Sequence, residues 1–459
     1  MWSRNGQGDG GTARTLVSRG CRTAPRGSGA RHQYRDSVNA TATVRLLRTF
    51  SALRVRNYRR YAFGQAVSLS GTWMQRVAQA WLVLDLGGSG TDIGVVTALQ
   101  FLPLLVFGAW GGVVVDRLDK RRLLMVTQLA SGLLALCLGI LTATGVVELW
   151  MVMALAGGLG FAHLLDVPGR QSFVMEIVGR DQLVNAVTLN SVVVNAARMT
   201  GPALAGVFIV TVGTAACFLL NAASYLIVVW AFAGMRQAEL QRSAVLPRGP
   251  GQLREGLAYA WREPALRSPL LLMAVIGALA YEFQVVLPLL ARFSFDGDAG
   301  TYGAMTACMG LGAVVAGLIV AGRGPTAAPS LATAAYVFGA LILATAAAPT
   351  LPLAMVALVG VGAASITLLA LANTTVQLQA VPEMRGRVMA LWSIAFLGTT
   401  PIGGPLVGWV SEQMGPRAGL VLGGLATICA AAGLARRPSA DQATGSGFEP
   451  APGSSPTPA

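Results

Sequence analysis

Between residues 61 and 434 the chain is a succession of apolar runs, each about twenty residues long and separated from the next by a short polar turn. Six runs fall at about 61–84, 93–115, 123–144, 149–168, 183–211 and 214–234. After a polar stretch, six more follow at about 268–291, 299–321, 329–347, 350–372, 386–410 and 415–434. A bilayer core needs about 20 apolar residues at about 1.5 Å rise each. Composition agrees, with 54% hydrophobic and only 12% charged residues, against about 25% charged in a soluble domain. The pattern predicts an all-α membrane protein with twelve transmembrane helices.

The turn Gly112–Arg122, G-V-V-V-D-R-L-D-K-R-R, joins the second and third runs. Arg117, Lys120, Arg121 and Arg122 place it on the cytoplasmic side by the positive-inside rule. Alternate turns repeat the bias, with Arg170, Arg180, Arg323, Arg385, Arg387, Arg436 and Arg437 on that side. The opposite turns hold Arg292 and Arg417 among Asp85, Asp92, Glu148, Asp296, Asp298 and Glu412. Both termini are therefore expected in the cytoplasm.

The formal net charge of +14 does not point to nucleic acid. The cations sit in membrane turns and the N-terminal segment, not on a compact basic face interleaved with aromatics, and anionic lipid is their natural partner. The five cysteines are scattered without a C-x-x-C pair, so neither a metal site nor a disulfide framework is indicated. Gly-rich runs at 157–161 and 310–312 lie inside apolar helices and read as packing glycines. No phosphate-binding G-x-x-x-x-G-K-[ST] and no nucleophile–base pair is evident, so neither an enzyme nor a cofactor is expected.

Residues 1–44, rich in Gly, Ser, Thr and Arg, are expected to be disordered or to follow an upstream translation start that is not used. The segment 45–60 alternates basic and apolar residues, as in a short helix lying on the inner membrane face. Within the spans, Gly201-Pro202 and Gly404-Pro405 are separated by 203 positions, and Gly112 lies 205 before Gly317. These offsets predict two parallel six-helix halves, 61–234 and 268–434, joined by a linker at 235–267 and followed by a disordered tail from 435 to 459. Parallel repeats imply an axis along the membrane normal and a site between the halves.

At this point the residues resemble a known family. Gly112-x-x-x-Asp116-Arg117-x-x-Lys120-Arg121-Arg122 is similar to the loop 2–3 signature of the major facilitator superfamily. W-M-Q-R-V-A-Q-A-W-L-V-L at 73–84, D-V-P-G-R-Q-S-F-V at 166–174, F-Q-V-V-L-P-L-L-A at 283–291 and P-E-M-R-G-R-V-M-A-L at 382–391 resemble its branch of enterobactin, drug and secondary-metabolite exporters. The likeness covers about residues 50–435. It departs from the pattern at Asp119, where a glycine is usual, and at Ala321, where the second half lacks a counterpart to Asp116.

The resemblance implies a conformational latch at Gly112, Asp116, Arg117 and Arg121, with a plain topology anchor as the alternative. It implies an antiporter-like helix motif at Gly201, Pro202 and Gly206, where a proline bend and small residues favour close helix approach. A cytoplasmic gate is expected at Asp166, Arg170, Glu383, Arg385 and Arg387. Charges inside spans are costly and default to function. Glu282, Arg76, Gln79 and Arg198 are therefore candidates for proton coupling or for lining a cavity, with Glu282 facing Arg76 or a shared cargo.

The expected function is secondary active transport. Proton-coupled efflux of a small amphiphilic drug, siderophore or metabolite is expected to proceed by alternating access, by a monomer in the plasma membrane. Proton-coupled uptake is the alternative, and a membrane-embedded enzyme or non-transporting receptor the second. Asp116→Asn is expected to lower transport while insertion is retained, and normal transport by a well-expressed variant contradicts the latch.

Overall fold

The computed structural model describes residues 51–241, 252–322 and 330–435, and among these every regular element is a helix. The helices are α1 Arg56–Asp85, α2 Gly90–Arg117 and α3 Lys120–Ala143, then a 63-residue helical run Leu149–Thr211, and α6 Thr214–Ala233. Gly179 breaks the long run, at φ 69° and ψ −178°. A left-handed φ of this kind favours glycine, and it divides the run into α4, 149–178, and α5, 180–211. The second group comprises α7 Gln252–Arg262, α8 Pro264–Val275, α9 Phe283–Ser294, α10 Ala299–Gly322 and α11 Leu331–Ala347. It ends with α12 Leu351–Gln379, α13 Arg385–Phe396, α14 Thr400–Met414 and α15 Pro416–Ala435.

Nine described helical stretches are long and apolar enough to cross a membrane, fewer than the twelve expected. One of the nine is the whole run Leu149–Thr211, and Leu331–Ala347 is a shorter apolar helix of 17 residues. Helix α1 falls outside the nine because Gln65, Gln75, Arg76 and Gln79 dilute its apolar content. Those side chains face protein: Asn221 Nδ2 donates to Gln75 Oε1 at 2.6 Å, and Gln100 Nε2 donates to Gln79 Oε1 at 3.1 Å. A second correction concerns 45–60. Residues 56–60 are the first turns of α1, with Asn57 and Tyr58 buried, and not a separate surface helix, because Tyr58 donates to the Ala186 carbonyl at 2.7 Å. Residues 45–50, the segment 1–44 and the tail beyond 435 lie outside the described residues, as do Arg242, Arg248 and Arg323.

The helices pack as two sets. In the first, α1 packs on α6 and on the α4–α5 run, and α3 on α6. In the second, α10 and α11 pack on α12, and α11 on α15. Two seams join the sets, α2 against α14 and the α4–α5 run against α10.

Both seams are built on glycine. A Cβ added at Gly94 would stand 2.3 Å from the Gly404 carbonyl oxygen, and one at Gly408 2.2 Å from that of Gly90. On the other seam, a Cβ at Gly303 would stand 2.8 Å from Gly206 Cα and from the Pro202 carbonyl oxygen. Ser89 starts α2 with a capping box completed by Asp92, which holds Gly90 and Gly94 at a fixed register.

Within the second set one of the closest crossings is reciprocal. A Cβ at Gly312 would lie 1.8 Å from the Val359 carbonyl oxygen, and one at Gly362 1.8 Å from that of Met309. Neither backbone can give way without moving a helix. Gly312→Val is therefore expected to cost about 1–3 kcal/mol, read as a lower melting temperature of the detergent-solubilised protein. Gly157→Ala, whose added carbon meets nothing within 4 Å, is expected to leave it unchanged.

Candidate functional site

The two sets enclose a cleft at mid-depth. A small cavity, about 50 Å³, is lined by Trp73 of α1, Arg198 of α5, Tyr281, Phe283 and Gln284 at the α8–α9 junction, and Tyr302 of α10, among others. One end of the cleft is closed. There the glycine seams meet, Arg292 pairs with Asp85 at 2.9 Å, and Thr91 Oγ1 donates to Glu412 Oε2 at 2.7 Å. At the other end, where Arg117, Arg122, Arg180 and Arg385 are exposed, no packing of α13 on α2, or of α12 or α13 on the α4–α5 run, comparable to the two seams is found among the described residues.

Two guanidinium groups share one indole. Arg76 Cζ lies 4.8 Å and Arg198 Cζ 5.0 Å from the Trp73 ring centroid. They are thus within about 10 Å of each other, where like charges repel by roughly 2 kcal/mol at an effective dielectric of about 20. Attraction to the ring face offsets part of this. Arg198 Nη1 lies 3.5 Å from the Tyr281 hydroxyl, and Arg198 Nε is buried without a hydrogen-bond partner. Gly201, next on α5, lets the chain approach Trp73; a Cβ there would lie 2.5 Å from Trp73 Cβ. Gly201 thus positions the arginine and indole, while Pro202 and Gly206 belong to the α10 seam.

Glu282 does not face Arg76, a correction to the expectation. The helix through α8 ends in a π turn, Ile276–Ala280, and Glu282 precedes α9. The break turns the carboxylate away from the cleft, into a separate small space, about 10 Å³, lined by Ile342, Gly419 and Gly423. Glu282 is 4% exposed and its Oε1 has no hydrogen-bond partner; buried Thr400 is placed to bond the carboxyl group. Gln79 is likewise turned from the cleft by its bond to Gln100.

The charged groups of the first set are tied to one another. Asp166, 1% exposed, pairs with Arg170 and accepts from Thr127 Oγ1 at 3.1 Å and Gln128 Nε2 at 2.8 Å. Arg170 Nη1 donates to Gln65 at 2.7 Å. Lys120 pairs with Glu176 at 2.5 Å. Arg121 donates to the Phe232 and Ala233 carbonyls at 2.7 and 2.8 Å, where a cation is favoured at the end of α6. Gly112 is buried in α2 and Arg117 ends that helix in an exposed position; the side chain of Asp116 lies outside the described residues. In the second set Arg387 pairs with Glu255 of α7 at 2.8 Å, and Glu383 and Arg385 are exposed. The five residues expected to form one gate therefore occupy separate sets. The aromatic lining of the cleft was missed in the sequence; Trp73 and Phe283 stood inside the quoted motifs, and no periodicity distinguishes a cavity aromatic from a packing one.

Comparison with known proteins places this geometry. Residues 47–445 match the family described as transmembrane secretion effector. The multidrug efflux pump Tap of Mycolicibacterium fortuitum is 26% identical over 364 residues, 77% of this chain and 88% of that protein. The enterobactin exporter EntS of Citrobacter koseri is 27% identical over 351 residues, 74% and 80% of the two chains. The staphyloferrin A transporter of Staphylococcus aureus is 25% identical over 256 residues, and the chain spans 63% of its length. Among solved structures, the nucleoside transporter NupG shares the fold with a TM-score of 0.66 at 12% identity, over 83% of this chain and 98% of that one. A bacterial homologue of the human lysosomal transporter Spinster, in an inward-facing and unoccupied conformation, does so with a TM-score of 0.63 at 14% identity, over 83% and 95%. With the match running through both helix sets and the cleft between them, the chain belongs to the transmembrane secretion effector family of major facilitator transporters.

Proposed function

We propose that this transporter exports a small amphiphilic molecule from the cytoplasm in exchange for protons, by alternating access at the central cleft. The observation that carries the reading is the cavity between the two sets, closed by narrow glycine seams at one end and lined by aromatics and a guanidinium. Counting the run broken at Gly179 as two and adding α1 and α11 to the nine apolar stretches supports a reading of twelve spans. Exposed arginines at the end away from the seams support a cytoplasmic location for that end and for both termini in the plasma membrane, and with it an inward-facing conformation. Relatives named as drug and siderophore pumps favour export over uptake. The protein works as a monomer, each chain holding a complete cleft between halves 61–234 and 268–434.

Coupling runs through Glu282. Its carboxyl group sits on the outer side of the same helix break that presents Tyr281 and Phe283 to the cleft. Gaining a proton removes a buried charge and relaxes the break, which shifts the aromatic wall. The latch at Asp116 and Arg117 and the gate residues Asp166, Arg170, Glu383, Arg385 and Arg387 act on the cytoplasmic closure of the cleft. Reconstituted protein is expected to move substrate against its gradient when a pH difference is imposed. Glu282→Gln is expected to lose at least tenfold of gradient-driven export and most of its pH dependence, while downhill exchange persists. Uphill export with an unchanged pH profile contradicts the coupling role.

A further inference from the structure

The cleft carries positive charge that no protein group neutralises. Among the described residues, Arg76 has neither an ion pair nor a hydrogen bond, and its guanidinium stands against the face of Trp73. Arg198 has the long bond to the Tyr281 hydroxyl, the face of Trp73, and a buried Nε with no partner. The acids that a sequence reading would assign to them are engaged elsewhere or turned away. Asp166 is held by Arg170, Thr127 and Gln128, Asp85 pairs with Arg292, and Glu282 opens into the space against α11 and α15. No carboxylate lines the cavity. Burying a cation within a membrane-spanning bundle is costly, and here Arg198 lines the cavity while Arg76 stands against the same indole. This charge is retained where a third party can neutralise it.

We propose that the cleft is an organic-anion site: it takes a carboxylate, sulfonate or phenolate borne on a flat aromatic body. The anion is bound by Arg198, with the charge of Arg76 against Trp73 adding to the positive field, and the ring lies against Trp73, Tyr281 and Phe283. The chemistry of each part fits. Guanidinium groups make forked, charge-assisted bonds to oxyanions, and Arg198 has a free Nε–H to offer. The aromatic wall stacks a planar body, and Gln284 of the same wall can hydrogen-bond a polar substituent. A cationic substrate would add a third positive charge to the same space. The assignment rests on the transport reading above, since it names the class of cargo for that cleft.

The test uses three probes with one fluorophore and different charge: dansylglycine, an anion; dansylamide, neutral; and dansylcadaverine, a cation. Binding to the full-length protein in phosphatidylcholine nanodiscs is followed by energy transfer from tryptophan. Dansylglycine is expected to bind at least tenfold tighter than dansylcadaverine, with dansylamide between them. Arg198→Gln and Arg76→Gln are each expected to weaken dansylglycine binding about tenfold, the scale of one charge-assisted bond, and to narrow the gap between probes. Arg198→Lys is expected to retain most of the preference for the anion. Equal or tighter binding of dansylcadaverine to the unaltered protein overturns the proposal, whatever the variants do. So does undiminished dansylglycine binding by the double glutamine variant at an unchanged melting temperature. Transport of the same probes in vesicles under a pH gradient separates the two readings. Dansylglycine that binds but is never moved contradicts export and upholds the anion site, whereas selective movement of dansylcadaverine upholds export and overturns the anion site.

Discussion

Backbone contact between glycines is the constraint on which the rest of this architecture depends. Gly90 and Gly94 meet Gly404 and Gly408 on one side of the cleft, and Pro202 and Gly206 meet Gly300 and Gly303 on the other. Between membrane helices the attraction is mainly close van der Waals packing, because lipid is as apolar as leucine. A seam of small residues gives close approach over a narrow strip, without interlocking side chains. Such a strip can part and re-form, and among the described residues two polar links at its end, Asp85–Arg292 and Thr91–Glu412, break with it. Side chains larger than glycine at these positions would hold the two sets apart.

The interior of the first set is built differently. Lys120–Glu176, Arg121 to the end of α6, and the Asp166–Arg170 pair with Gln65, Thr127 and Gln128 cross-link α1, α3, α4 and α6. Breaking one partner of a buried pair leaves an uncompensated charge, so this set resists internal rearrangement. Rigid sets on weak seams are the mechanical condition for rocking. The sharp charged turn at 117–122, whose Lys120 and Arg121 bind within the first set, serves that rigidity directly.

Much of this was legible in the sequence. The apolar runs located nearly every helix, and the paired Gly-Pro dipeptides marked one helix of each seam. Other features were hidden for specific physical reasons. Periodicity cannot show that a helix breaks at Glu282, because the residues on either side, Ile276 to Ala280 and Phe283 to Ala291, are apolar apart from Gln284. That break rotates Glu282 away from Arg76, a pairing that straight-helix register had suggested. Gln79 looked like a cavity group for the same reason, since a polar residue in an apolar helix can satisfy itself equally on a neighbour, as it does with Gln100. Arg76 and Arg198 lie 122 positions apart in the sequence, so their convergence on Trp73 could be seen only in three dimensions.

The central claim is that the seams open when the arginine-rich end closes. Electron–electron double resonance tests it directly, with the five native cysteines replaced and spin labels introduced in two pairs at exposed positions. Val184 with Leu378 reports the arginine-rich end, and Val146 with Met414 the closed end. The account predicts two populations of opposite sense: long at 184–378 with short at 146–414, and the reverse, with acidification and substrate shifting the balance between them. A single fixed distance at both pairs under every condition, or both distances lengthening together, would contradict it.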